Sequence, residues 1–136
     1  MKRTGTAHWE GTGKEGKGNV STQSTVLNQA QYSWSSRFAE GIGTNPEELI
    51  GAAHAGCFSM KLSFVLGEGG FTASSIDTKA TVTIENGAIP TIHLDVEAVV
   101  PGLSAEDFEK MAQNAKENCP VSKLLKAEIT LTASLK

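Results

Sequence analysis

The fold of this chain depends on residues 45–60, which read Asn45-Pro46-Glu47-Glu48-Leu49-Ile50-Gly51-Ala52-Ala53-His54-Ala55-Gly56-Cys57-Phe58-Ser59-Met60. Asn45 is a good N-cap, proline suits the first helical position, and two acids follow where the helix dipole favours negative charge. Glu48 stands three residues after Asn45, as in a capping box. The segment therefore predicts the start of a helix at Pro46.

This helix is predicted to run to Gly67, because Gly67-Glu68-Gly69-Gly70 is a strong stop signal. Apolar residues recur along it at helical spacing and predict one apolar face. Its members are Ile50, Ala53, Cys57, Met60 and Phe64. Small residues at 52–56 permit another helix to pack closely against it.

The remaining chain alternates between strand and helix signals. Strands are predicted at Thr4–Glu10, Asn19–Val26, Tyr32–Phe38, Ser75–Glu85, Ile89–Val100 and Glu128–Leu135, with helices from Ser104 to Asn118 and from Pro120 to Ala127. The order βββ-α-ββ-α-α-β indicates an α+β fold, in a single domain over residues 1–136.

Composition excludes several classes of protein. Twelve basic against 15 acidic residues give a net charge of −3, which argues against nucleic acid or an anionic membrane as partner. No uninterrupted apolar run approaches transmembrane length, and no signal peptide is visible, so we expect a cytoplasmic protein with reduced thiols.

Two patterns that suggest ligands are weak. Gly11, Gly13 and Gly16 have the spacing of a dinucleotide fingerprint but lead into a strand rather than a helix. His54 and Cys57 lie three residues apart on one helix, but no further ligand motif completes a zinc site. We therefore expect neither a cofactor nor a metal.

The two cysteines each have two interpretations. Cys57 is either a small buried apolar residue or a reactive thiol, and a reactive thiol needs a nearby cation, for which Arg37 is a better candidate than Lys61. Cys119 precedes Pro120 at a predicted helix start, where a thiolate is favoured, or it is a chance surface cysteine. Spacing alone does not choose between these interpretations.

Several motifs together resemble the OsmC/Ohr family, the osmotically inducible protein C and organic hydroperoxide resistance proteins. They are residues 43–60, Asn118-Cys119-Pro120-Val121-Ser122, Ala7-His8-Trp9-Glu10-Gly11 and Ser75-Ile76-Asp77-Thr78. The resemblance spans nearly the whole chain and favours the OsmC branch.

The resemblance implies a thiol peroxidase that reduces organic hydroperoxides in preference to hydrogen peroxide. Cys57 corresponds to the peroxidatic cysteine, Cys119 to the resolving cysteine, Arg37 to the catalytic arginine at the end of a strand, and Glu47 to the glutamate that holds it. Glu48 is then the capping residue. The family's reductant is a dithiol, often a lipoylated protein or dihydrolipoamide.

The resemblance also implies an intertwined homodimer, with antiparallel sheets wrapped around central helices. Helix geometry agrees, because ten residues separate Glu47 from Cys57, about 15 Å along the axis and about 80° around it. One straight helix cannot bring both to one site, whereas two antiparallel copies can. Apolar residues near the site, namely Trp34, Leu49, Phe58 and Phe64, are candidates for substrate contact or are simply core.

Two rival functions remain for the same cysteines. One is a redox sensor or small-ligand-binding stress protein, which oxidises once per chain without turnover. The other is a structural dimer whose thiols are inert, for which replacing Cys57 leaves peroxide removal unchanged.

Overall fold

The computed structural model describes residues 1–136 and contains six strands and four helices. In chain order they are β1 (Gly5–Glu10), β2 (Lys17–Thr22), β3 (Ala30–Ser33), α1 (Trp34–Phe38), α2 (Pro46–Glu68), β4 (Ser75–Glu85), β5 (Ala88–Val99), α3 (Ala105–Asn118), α4 (Pro120–Leu124) and β6 (Glu128–Leu135). Their contacts divide the chain into two compact units, Met1–Leu49 and Ile50–Lys136. The mixed composition confirms the α+β class, and the single domain stays a prediction.

The first unit is built on an antiparallel sheet in the order β1-β2-β3. Trp9 and Tyr32 pack against each other across β2, with ring centroids 5.2 Å apart and ring planes tilted by 50°. Glycine is required between them, because a Cβ on Gly18 would lie 2.6 Å from the Tyr32 ring and 2.7 Å from the Trp9 ring. The absent side chain thus lets two aromatic rings meet over the central strand.

The predicted strand Tyr32–Phe38 is wrong beyond Ser33, where helix α1 begins. Ser33 and Ser36 form a reciprocal capping box: the Ser36 amide donates to Ser33 Oγ at 3.1 Å, and the Ser33 amide donates to Ser36 Oγ at 2.8 Å. These serine hydrogen bonds favour a helix. The spacing of the aromatic residues does not oppose it, because Trp34 and Phe38, four residues apart, fit a helix as well as a strand. Arg37 therefore lies in a short helix and not at the end of a strand.

The second unit contains a sheet in the order β4-β5-β6. Strands β4 and β5 form the predicted hairpin, and its turn residues Asn86 and Gly87 both have positive φ angles, 50° and 77°. Strands β5 and β6 pair in parallel, with Leu94 opposite Leu131. The predicted antiparallel pairing therefore holds for β1–β2, β2–β3 and β4–β5 but not for β5–β6, because helices α3 and α4 carry the chain back to the same end of the sheet.

The core of the second unit lies between the inner face of β5 and helices α2 and α3. Alternate residues of β5 are buried, as are one side of α2 and one stripe of α3. Its fully buried large side chains include Phe58, Leu62, Leu66, Ile92, Leu94, Val96 and Phe108. Phe58 is wholly inaccessible, so of its two sequence interpretations, substrate contact or core, the structure supports core.

The predicted apolar face of α2 is not the face that packs on this core. Met60 and Phe64 are 65% and 64% exposed, and Ala53 is exposed as well, whereas Phe58 and Leu62 are buried. Helix α2 is apolar on more than one side, and the simple spacing rule selected the side that the chain leaves open.

Helix α2 is also long and apolar enough to cross a membrane, by length and composition only. The core helix of a soluble protein passes the same test, so one such helix is weak evidence for a membrane span. Only 33% of its most apolar 18 residues are buried within the chain. Much of this apolar helix therefore has no partner in a single copy.

Candidate active site

The two cysteines of the chain lie together in the second unit. Cys57 is half-buried in the middle of α2, and Cys119 is fully buried at the N-cap of α4. Both are free thiols, and Cys57 packs against the core cluster to which Cys119 belongs. Two free thiols placed side by side are the reduced form of a pair that can form a disulfide.

The surroundings of Cys57 favour the protonated thiol over the thiolate. Burial raises the pKa of the Cys57 thiol, and the hydrogen bond with Cys119 raises it further. A hydrogen bond with the backbone of Val121, in the first turn of α4, acts the other way and lowers the pKa of Cys57. Because burial is the larger effect, a reactive thiolate needs additional positive charge nearby.

The first unit supplies an arginine held in a fixed orientation. Arg37 Nε donates to both Glu47 carboxylate oxygens at 3.0 and 3.1 Å, and Arg37 Nη2 donates to Glu47 Oε1 at 2.6 Å. The Glu47 side chain is 11% exposed and that of Arg37 is 37% exposed. Glu47 raises the pKa of Arg37, so the guanidinium stays charged.

The ion pair leaves part of the guanidinium free. Arginine has five N–H donors, and Glu47 occupies the one on Nε and one on Nη2. Three donors remain, including both on Nη1. Arg37 is thus oriented by Glu47 and still able to bind an anion or a peroxide oxygen.

Local capping explains why Glu47, rather than its neighbour, faces Arg37. The Glu48 amide donates to Asn45 Oδ1 at 2.8 Å, and Asn45 Nδ2 donates to the Ser36 carbonyl at 3.1 Å. These bonds confirm Asn45 as the N-cap and tie the start of α2 to α1. The Glu48 carboxylate accepts from the side chains of Thr44 and Asn45 instead of the Asn45 backbone amide, so the reciprocal half of the predicted capping box is not formed.

The sequence did not single out the contact between His54 and Ser122. His54 is fully buried, and its Nε2 lies 2.7 Å from Ser122 Oγ, while its Nδ1 has no partner. Burial lowers the pKa of His54, so the ring is neutral near pH 7. The signal was present in the spacing, since His54 lies three residues before Cys57 and Ser122 three residues after Cys119.

This buried histidine predicts acid sensitivity. In the unfolded chain His54 titrates near 6.5 and in the folded chain at a lower pH, so the unfolded state binds more protons between the two values. Stability is therefore full above pH 6.5 and falls as the pH drops through that window, by up to about 1.4 kcal/mol per pH unit. Urea unfolding of wild type and His54→Gln at pH 7.5 and 5.5 measures this: the variant should lose less stability on acidification. An equal loss in both proteins would contradict the prediction.

The structure thus brings the predicted site residues together as two pairs, Cys57 with Cys119 and Arg37 with Glu47. Each pair lies within one compact unit. The roles assigned to these four residues by resemblance stay predictions.

Sequence comparisons identify relatives over the full length. The chain is 56% identical over 140 residues to Peroxiredoxin OsmC of Escherichia coli (strain K12), covering 100% of this chain and 98% of that protein. It is 30% identical over 123 residues to Organic hydroperoxide resistance protein-like 1 of Staphylococcus epidermidis, covering 88% and 86%.

Structural comparison gives the same fold at low sequence identity. An OsmC-like protein from Mycoplasma pneumoniae matches with a TM-score of 0.77 at 14% identity, over 99% of this chain and 97% of that one. The organic hydroperoxide resistance protein OhrB of Bacillus subtilis matches with a TM-score of 0.66 at 23% identity, over 98% of both. The family model described as OsmC-like protein matches residues 39–134. With this match and its full-length relatives, the chain belongs to the OsmC family.

Proposed function

We propose that this protein is a thiol-dependent peroxidase that reduces organic hydroperoxides, and hydrogen peroxide less well, to alcohols or water. The observation that carries the proposal is the pair of neighbouring free thiols, in which half-buried Cys57 packs against the core that contains the fully buried Cys119. The printed names of the relatives, a peroxiredoxin and organic hydroperoxide resistance proteins, support the same chemistry.

The proposed cycle has three steps. The Cys57 thiolate attacks the distal peroxide oxygen, the O–O bond breaks, and the alcohol leaves with a proton while Cys57 becomes a sulfenic acid. The Cys119 thiol then displaces that hydroxyl, forming a disulfide and water. An external dithiol reduces the disulfide by exchange and leaves as its own disulfide. Dihydrolipoamide or a lipoylated protein is the proposed reductant.

Arg37 is proposed to supply the positive charge that Cys57 lacks in a single chain. The three guanidinium N–H groups that Glu47 leaves free can donate to the thiolate and to one peroxide oxygen at the same time, because they lie in one plane. Glu47 orients this fork through Nε and Nη2 without covering Nη1. Charge developing on the leaving oxygen is stabilised by the same donors.

We propose that the complete site forms in a homodimer. Two α2 helices packed antiparallel, with Glu47 of one copy near Cys57 of the other, are centred on Ala52. The exposed side of α2 carries small residues there, which permits close approach, and the exposed Met60 and Phe64 then meet the partner subunit. The same packing covers the apolar helix surface that a single copy leaves open.

A charge placed on the exposed side of α2 tests the dimer. Sedimentation of the wild-type protein should give twice the 14.3 kDa mass of one chain. Phe64→Asp should raise the dissociation constant more than about a hundredfold, because an unpaired buried carboxylate costs roughly 3 kcal/mol or more. Val26→Asp, which changes an 85% exposed residue of the β2–β3 loop, is the matched control and should stay dimeric. A wild-type monomer would contradict the proposal.

The proposed activity is tested by steady-state loss of cumene or tert-butyl hydroperoxide with excess dihydrolipoamide. Sustained turnover is expected of the wild-type protein. Its proposed location is the cytoplasm, where thiols are kept reduced. Consumption of a single equivalent per chain would favour the redox sensor instead. No consumption at all would favour inert thiols.

A further inference from the structure

The hydrogen bond between His54 and Ser122, called here the His54–Ser122 link, joins the same two helices as the thiols. His54 and Cys57 are one helical turn apart on α2, and Cys119 and Ser122 are one turn apart on the α4 side. The link is 2.7 Å long and its histidine is fully buried. Helices α2 and α4 therefore approach each other at two adjacent places, the His54–Ser122 link and the two cysteines. Only the cysteines change covalently in the proposed cycle.

Apart from the partly buried Val121, which packs against the core, helix α4 has few other anchors. It is five residues long, none of its own residues is fully buried, and no side chain caps its N-terminus. The chain leaves helical geometry at Leu125, whose φ and ψ are −82° and 133°, so the helix ends earlier than the sequence predicted. Cys119 itself is fully buried where α3 ends and α4 begins, so the His54–Ser122 link acts on the first turn of α4, which orients the Cys119 thiol toward Cys57.

The chemistry of the buried ring sets the direction of the bond. A neutral imidazole carries one N–H, and an unpartnered buried N–H costs free energy. Nδ1 has no partner, so the hydrogen belongs on Nε2, which donates to Ser122 Oγ. His54 is in this form a fixed donor aimed at α4.

We propose that His54 is a positioning residue for the resolving step: through Ser122 it holds α4 so that the Cys119 thiol stays within reach of oxidised Cys57. The part of this proposal that concerns the reaction with peroxide rests on the proposed function. Two reactions compete for the sulfenic acid of Cys57. Attack by Cys119 gives the disulfide and water, whereas a second hydroperoxide gives the sulfinic acid and another alcohol.

The first test needs no peroxide. Reduced protein is equilibrated with mixtures of reduced and oxidised glutathione, in which two protein thiols and one oxidised glutathione give the Cys57–Cys119 disulfide and two reduced glutathiones. The equilibrium constant should fall about tenfold in Ser122→Ala, the size of effect of one lost hydrogen bond. Ser122→Thr keeps the hydroxyl and should stay within about twofold of wild type.

The second test follows a single turnover with cumene hydroperoxide. Formation of the sulfenic acid should stay within about twofold of wild type in Ser122→Ala, whereas disulfide formation should slow about tenfold. The sulfinic fraction, measured by mass as two added oxygen atoms on Cys57, should rise accordingly. A general loss of stability would instead affect both steps, and urea unfolding of each variant checks for it.

The outcomes separate the two proposals. A Ser122→Ala protein that matches wild type in the glutathione equilibrium would overturn the positioning role. So would a Ser122→Thr protein that falls as far as Ser122→Ala. Failure of the wild-type protein to consume peroxide would refute the proposed function, while the glutathione equilibrium still decides the role of His54.

Discussion

Replacing Cys57 with serine is expected to abolish consumption of organic hydroperoxide. A serine hydroxyl is not ionised at neutral pH and is a far weaker nucleophile than a thiolate, so the loss should be at least about a thousandfold. The measurement is steady-state loss of cumene hydroperoxide with excess dihydrolipoamide. Fold and oligomeric state should be unchanged, since sulfur and oxygen differ little in size at this half-buried position.

The matched control is the same change at the only other cysteine. Cys119→Ser keeps the attacking sulfur, so it should consume one equivalent of peroxide per chain to give the Cys57 sulfenic acid, or two where a second hydroperoxide oxidises it to the sulfinic acid, and then slow or stop. Equal losses in both variants would show that the roles are not divided as proposed. Full activity in Cys57→Ser would leave the thiol chemistry without support.

Replacing Arg37 with alanine is expected to give the second largest effect. Burial raises the pKa of Cys57, so loss of the proposed cation removes both thiolate and transition-state stabilisation. The second-order rate constant with cumene hydroperoxide should fall about a hundred- to a thousandfold. Arg37→Lys should recover only part of the rate constant. A lysine ammonium group cannot bind Glu47 through one set of N–H donors and present a second set to the substrate, as the planar guanidinium does.

Arg3 provides the control, since the chain has only two arginines and Arg3 is exposed near the N-terminus. Arg3→Ala should leave the rate unchanged. The pKa of Cys57, followed by thiolate absorbance across pH, should rise in Arg37→Ala and not in Arg3→Ala. An unchanged pKa together with an unchanged rate in Arg37→Ala would refute the proposed role.

Much of the fold was predictable because its signals are local. The helix start at Asn45-Pro46, strand β4 and strand β6 follow from capping and alternation, and the structure places them at the predicted residues within one position. Helix α1 was missed because Trp34 and Phe38 satisfy both strand and helix spacing, and only the bonds between Ser33 and Ser36 decide between them.

Long-range features needed the structure. The parallel pairing of β5 and β6 depends on the course of α3 and α4, which no local pattern encodes. The buried side of α2 was misassigned because the helix is apolar on two sides. The contact between Cys57 and Cys119 was expected only from family resemblance, and the His54–Ser122 link was not expected at all.

The parallel pairing of β5 and β6 also has a consequence for folding. The segment that carries Cys119 lies in the crossover between these strands. Parallel pairing across a long connection is a slow step, because the loop must close before its contacts compensate for the lost entropy. We therefore expect the segment with Cys119 to reach Cys57 late in folding, when β6 pairs with β5.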